Sequence, residues 1–254
     1  MSHLPVSSPY LVEIATTDFE TTRLAVQGGA HRIELCASLS EGGVTPSYGT
    51  IRRCRESFSV PLFPIIRPRG GDFLYNDQEF DVMKQDVLLC KSLQCDGIVM
   101  GLLQHNGQID LKRTALLIEL AYPMGVTFHR AFDRCVDPEQ ALEQLISVGC
   151  ERLLTSGQQP TAPEGADLIT RLQQQSNDRI IIMPGSGVRP DNVAALAKRT
   201  GCSEFHSSLR SSTKSAMQYI HPAFAKSAES YQNSYIDPVQ VGQLIEALAS
   251  VSKA

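Results

Sequence analysis

Short runs of apolar and β-branched residues alternate along the chain with longer stretches in which apolar positions recur at helical spacing. Eight such runs predict strands at residues 11–17, 31–36, 60–68, 96–101, 126–132, 152–157, 179–187 and 203–208. Between them, FDVMKQDVLLCKSL, LKRTALLIELAY, PEQALEQLISVG and PDNVAALAKRTG carry the period of amphipathic surface helices. Asp137 and Asp191 stand where N-terminal caps belong, with Pro138 and Pro190 beside the helix starts. A weak repeat runs through VQGGAHRIEL, ISVGCERLLT and AKRTGCSEFH: a helix end, a Gly, a small residue, a polar pair, then a strand. The Gly suits the left-handed turn that ends a helix.

Eight strands alternating with helices over 254 residues predict one α/β domain, a single (β/α)8 TIM barrel spanning residues 1–254. A doubly wound open sheet is the competitor, but no GxGxxG follows the first strand. Two segments fall outside the rhythm. Residues 1–9 read as a polar tail. Residues 209–237 read as a long Ser-rich loop after strand 8, placed to act as a lid, before a last helix near 238–252.

In a barrel, alternate strand residues point inward, and those at the C-terminal ends line the mouth. Ionisable residues collect at those ends here. Strand 2 carries Glu34 and Cys36 in one parity, strand 8 carries Glu204 and His206, and strand 1 carries Glu13. Strand 3 ends in Arg67, and strand 5 carries His129. Strands 8, 1, 2 and 3 are ring neighbours, so these residues predict a continuous arc that His129 faces from across the mouth. A structural ion-pair network would explain any one of them, but ionisable residues from five strands at one end favour function. Glu34, His129, Glu204 and His206 are the candidate proton carriers.

The loop RPRGGDF (67–73) puts Arg67 and Arg69 in the same parity, with Asp72 beside them. Two guanidiniums so placed suit a carboxylate or phosphate, and an Arg–Asp loop staple is the competing reading. After strand 7, Gly185, Ser186 and Gly187 can present backbone N–H groups to an anion, at a position where barrels often bind phosphate. Ser156, after strand 6, offers a hydroxyl to the same ligand, and Arg130 is expected to pair with Asp133 or a neighbouring strand.

Composition narrows the partners. With 42% apolar and 20% charged residues, the chain has the makings of a core. A net charge of −4 without a basic block gives no reason to expect nucleic acid, and no apolar run is long enough to span a membrane. The N-terminus lacks a secretory signal, so a cytoplasmic location is expected. Seven cysteines without a CxxC pair read as reduced thiols.

The segments RIELC (32–36), EGGVTPS (41–47), IIRPRGGDFLY (66–75), GQID (107–110), VTFHRAFD (126–133), LTSG (154–157), MPGSGV (183–188) and EFHSS (204–208) resemble the CutC family, named for copper homeostasis. The resemblance implies a (β/α)8 barrel, a cytoplasmic homo-oligomer and a role in copper homeostasis through Cu(I) binding at the barrel mouth. In the family that binding rests on two mouth cysteines: Cys36 matches the second, and Ala15 stands at the position of the first. Cu(I) favours soft ligands, and Cys36 together with His206 or Met183 could bind it. The residues themselves support another function, a metal-independent enzyme doing acid–base chemistry on a small phosphate- or carboxylate-bearing molecule. A partner-binding scaffold ranks third, since no exposed apolar stripe singles it out.

Overall fold

Side-chain caps fix where most of the helices begin. Asp18 and Thr21 form a reciprocal capping box on α1 (Phe19–Gln27), and Asn76 and Glu79 form another on α3 (Asp77–Ser92). Ser47 caps α2 (Tyr48–Ser57) and Asp110 caps α4 (Leu111–Ala121). Asp137 caps α5 (Pro138–Ser147), whose first residue is the predicted proline. Asp191 does not cap α7 (Val193–Thr200): the N-cap is Asn192, whose side chain accepts the Arg189 amide and braces the preceding loop. Helices α6 (Ala166–Ser176) and α8 (Pro238–Ala249) complete the set. The three repeat glycines, Gly29, Gly149 and Gly201, all take the positive φ expected of them.

The structure, a computed structural model, describes residues 9–224 and 231–251. Its strands are shorter than the sequence runs: β1 (Leu11–Thr16), β2 (Arg32–Leu35), β3 (Leu62–Pro64), β4 (Gly97–Met100), β5 (Gly125–Phe128), β6 (Arg152–Thr155), β7 (Ile181–Pro184) and β8 (Glu204–Ser207). Two parallel ladders form, in the orders β3-β2-β1-β8 and β4-β5-β6-β7. A parallel bridge between Ile65 and Val99 joins them on one side, and β7 lies against β8 on the other. The result is the predicted (β/α)8 barrel.

The main apolar core lies between the strands and the helical ring, where Val12, Ile14, Ile33, Leu35 and Phe205 are fully buried. These are the outward-facing members of their strands. Among the described residues, Cys36, Phe63, Ile65 and Val99 form a small apolar cluster inside the barrel. Charged side chains fill much of the remaining interior, which is what makes this barrel chemically informative. Gly97 serves that interior: a Cβ there would lie 2.1 Å from Cε1 of Phe63, the ring over which Arg32 and Arg152 stack.

The segment after β8 departs from the expected long loop. Residues Arg210–Lys214 (β9) and Gln232–Ile236 (β10) pair as an antiparallel ribbon, with Arg210 opposite Ile236. Exposed Ser and Thr positions hid these strands, because neither face of the ribbon shows an apolar alternation. Residues 1–8 of the expected tail and 225–230 of the expected lid lie outside the described residues. Among the described residues, no helix is long and apolar enough to cross a membrane.

Candidate active site

The inward residues of β1, β2, β6 and β8 form two stacked layers. In the lower one, Arg32 Nε donates to Glu13 Oε2 at 2.5 Å, and Arg32 Nη2 donates to Glu204 Oε2 at 2.5 Å. Arg152 Nε donates to the same Glu204 oxygen at 2.7 Å, and both guanidiniums stack over Phe63. Glu204 was expected to carry protons at the mouth. The parity is right but the depth is wrong, since it opens β8 and is held from two sides by arginines. Arg32 and Arg152 were not singled out from the sequence, although Arg32 shares the inward parity of Glu34 and Cys36.

One layer nearer the mouth, His206 Nδ1 lies 2.8 Å from Glu13 Oε1, and its Nε2 lies 3.6 Å from Glu34 Oε2. Burial alone would raise the pKa of Glu13, but the Arg32 charge and the His206 hydrogen bond outweigh it and hold the carboxyl at about 2. Burial raises Glu34 too, and the nearby His206 only partly offsets this, leaving it at about 7. Burial opposes the His206 imidazolium, yet the hydrogen bond to Glu13 and the charge of Glu34 prevail and raise its pKa. An ionised carboxylate therefore holds a histidine whose other nitrogen faces a carboxyl poised near neutrality.

His129 sits just beyond β5. Its Nδ1 accepts the Ala131 amide at 3.1 Å, its ring lies 4.9 Å from that of Phe73, and its buried Nε2 has no partner among the described residues. Burial and the positive charge of Arg67 hold its pKa down at about 3.

A cavity of about 400 Å³ opens above these groups, and Glu34, His206 and His129 line it. Arg130 joins them from the segment after β5, and the end of β8 and the loops after β7 and β8 add Ser186, Gly187, Val188 and Arg189, then Ser207, Ser208 and Arg210. Ser186 and Gly187 take φ of 76° and 70°. The amides of Ser186, Gly187 and Val188 donate to no acceptor among the described residues. Gly185 does not join them, because its amide donates to Thr155 and a Cβ there would meet Leu154 at 2.4 Å.

The expected arginine clamp is not part of this wall. Arg67 is buried and donates to the carbonyls of Glu41, Gly43 and Gly71 at 2.7–2.8 Å. Arg69 pairs with Glu79 and Asp72 and stacks over Tyr75. The chain bends from Pro68 through Gly71, so the extended parity that would set Arg67 and Arg69 side by side does not hold. The segment, Asp72 included, is the loop staple that competed with the clamp. Ser156 is likewise engaged: its Oγ accepts from Arg130 Nη2 at 2.7 Å and lies 2.5 Å from the Gln159 carbonyl oxygen. Arg130 also pairs with Asp133, as the sequence suggested.

Cys36 is fully buried beside Glu34, and it is not among the cavity-lining residues. Gly43 covers it so closely that a Cβ there would lie 3.2 Å from its Sγ. Burial, then the adjacent Glu34 charge, push the thiol well above its ordinary pKa. Ala15 faces the cavity where a second thiol would be needed. These residues do not make a Cu(I) thiolate site. Glu13, Glu34 and His206 do bring one ligand atom each to within 4.8 Å of one another. They are hard or borderline donors, however, and His206 Nδ1 is already committed to Glu13.

The profile of the CutC family matches residues 10–211. The chain belongs to the CutC family. A CutC family protein of Chromobacterium violaceum is 49% identical over 241 residues, covering 94% of this chain and 98% of its own. One from Vibrio vulnificus is 46% identical over 249 residues, covering 96% and 99%. A solved Streptococcus agalactiae structure bearing the name of a copper homeostasis protein, CutC, superposes with a TM-score of 0.74 at 33% identity, covering 78% of this chain and 98% of that one. Phosphoribosylanthranilate isomerase of Thermotoga maritima superposes at 0.58 with 14% identity, covering 94% and 98%, and shares the barrel alone with this CutC chain.

Proposed function

We propose that the cavity is an active site for metal-independent acid–base chemistry on a small molecule bearing a phosphate or carboxylate. The observation that carries this reading is the pairing of Glu34, poised at about 7, with a His206 that Glu13 holds in place, both on the cavity wall. A carboxyl near neutrality can both give and take a proton at physiological pH. The unengaged amides of Ser186, Gly187 and Val188 and the guanidiniums of Arg189 and Arg210 supply the complementary anion cradle. Inorganic phosphate titrated calorimetrically should bind wild type, and the Arg189→Ala/Arg210→Ala double variant should lose at least tenfold in affinity. Equal binding by both proteins would remove the cradle from the reading.

Copper binding through Cys36, which the family name suggests, has little support in the donor set. In an anaerobic titration against a competing Cu(I) chelator, Cys36→Ser is expected to match wild type. Tight stoichiometric binding lost in that variant would restore copper as the ligand.

A further inference from the structure

His129 is a buried cavity-lining group that the acid–base pair leaves without a task. Its tautomer is fixed by the backbone: Nδ1 accepts the Ala131 amide at 3.1 Å, so the proton of the neutral ring sits on Nε2. That Nε2–H is buried and meets no acceptor among the described residues. A buried donor without an acceptor is costly, and such groups in native proteins call for an explanation. The ring is also held in place. A Cβ at position 101 would lie 2.4 Å from Nδ1, so Gly101 is what lets the imidazole pack there, and Phe73 covers its face at 4.9 Å. Ile65, Phe73 and Leu154 also line the cavity, as does Arg130, whose guanidinium can only donate. A ligand in the cavity can supply the missing acceptor.

Resting on the acid–base reading above, we propose that the substrate is a carbonyl compound bearing a phosphate or carboxylate, with its carbonyl oxygen accepting a hydrogen bond from His129 Nε2–H while Glu34 removes the proton from the adjacent carbon. The Glu34 carboxylate gains that proton, and the C–H electron pair becomes the C=C bond of an enolate. The carbonyl π pair moves onto oxygen, where the Nε2–H donor meets the developing charge. Reprotonation from the Glu34 carboxylic acid closes the cycle without an oxidant or reductant. Because burial and Arg67 keep His129 neutral down to about pH 3, it acts as a hydrogen-bond donor throughout and not as a cation. The reaction class is proton transfer next to a carbonyl, with the anionic group anchored at the 186–188 amides.

Two probes separate this inference from the reading beneath it: inorganic phosphate, which needs only the cradle, and phosphoglycolohydroxamate, which adds a planar mimic of an enediolate. Wild type should bind the hydroxamate at least tenfold more tightly than phosphate. His129→Leu should lose that preference while keeping its phosphate affinity, and His129→Gln, which retains an N–H donor, should recover part of it. Phosphate binding without a hydroxamate preference in wild type would overturn the carbonyl assignment and leave the anion site standing. Binding of neither probe would overturn both. A readout independent of folding in the variants is the imidazole ¹⁵N spectrum of the wild-type protein. It should show His129 as the Nε2–H tautomer down to pH 4, with that proton shifting when the hydroxamate is added. A protonated ring at pH 6, or no shift at hydroxamate saturation, would sink the proposal.

Discussion

Replacing Arg32 with Met is expected to cost about 3–5 kcal/mol of folding stability, the range for removing one partner of a buried ion pair. Arg32 is only 3% exposed, and its guanidinium joins Glu13 to Glu204 at 2.5 Å on each side. Without it Glu204 keeps Arg152, but Glu13 is left in the barrel interior with His206 alone. A methionine of similar length fills the space over Phe63 and leaves the charge unanswered. The double variant Arg32→Met/Glu13→Gln should therefore recover part of the loss, because it buries no unpaired carboxylate. Urea unfolding at pH 7 measures both, and a single-variant loss under about 1 kcal/mol would show that the interior is wet enough to solvate Glu13.

The same ion pairs set the acid response. The pKa of Glu13 falls from 4.5 to about 2 on folding, so its contribution is present above pH 4.5 and is lost as pH falls through about 2. Wild type should lose stability across that window more steeply than a variant with Gln at position 13.

The second large effect has the opposite sign: Glu34→Gln is expected to stabilise the protein in alkaline solution. Folding raises the Glu34 pKa from 4.5 to about 7, chiefly through burial, so the stability it contributes is fully present below pH 4.5 and is lost as pH rises through about 7. That change corresponds to about 3 kcal/mol at pH 8. Gln keeps the shape and carries no charge, so the variant should gain stability over wild type at pH 8 and differ little at pH 4.5. It also removes one of the two carboxylates that raise the His206 pKa, so that imidazole should titrate lower in the variant. Thermal unfolding across this range, with the imidazole resonances followed by NMR, checks both points. An equal stability of variant and wild type at pH 8 would mean that Glu34 is solvated as a carboxylate, and its poise as a proton carrier would go with it. A residue whose removal stabilises the fold is what a functional site under strain leads one to expect.

Much of this molecule was readable before its structure. The barrel followed from the alternation of strand and helix periods, because a short apolar run and a 3.6-residue period each reflect which faces a local element must bury. Glu34, His129 and His206 followed from parity at the strand ends, and Ser186 and Gly187 from their position after strand 7; all five line the cavity. The inward-facing glutamates were legible as well, but their depth was not. Glu204 and His206 share a face of β8, yet one ends between two arginines and the other at the cavity floor, since the stagger of tilted strands fixes height and a single strand's sequence does not record it.

The partners of each charge were also decided only in three dimensions. Arg67, Arg69 and Asp72 look like an anion clamp when drawn extended, but the bend from Pro68 through Gly71 sends the guanidiniums to backbone carbonyls and to Glu79. Cys36 has the parity of a mouth residue, and the loop carrying Gly43 closes over it. The β9–β10 ribbon left no period to read because its positions are mostly exposed and polar, with only Tyr235 and Ile236 at one end packed on the core. What the chain determined by itself was therefore the set of elements and the face each residue occupies, which are local consequences of backbone geometry and burial. Which charges meet, which thiol is covered and which imidazole is left with an unmatched proton depended on closure of the barrel. Those contacts join residues far apart in sequence, and no local period encodes them.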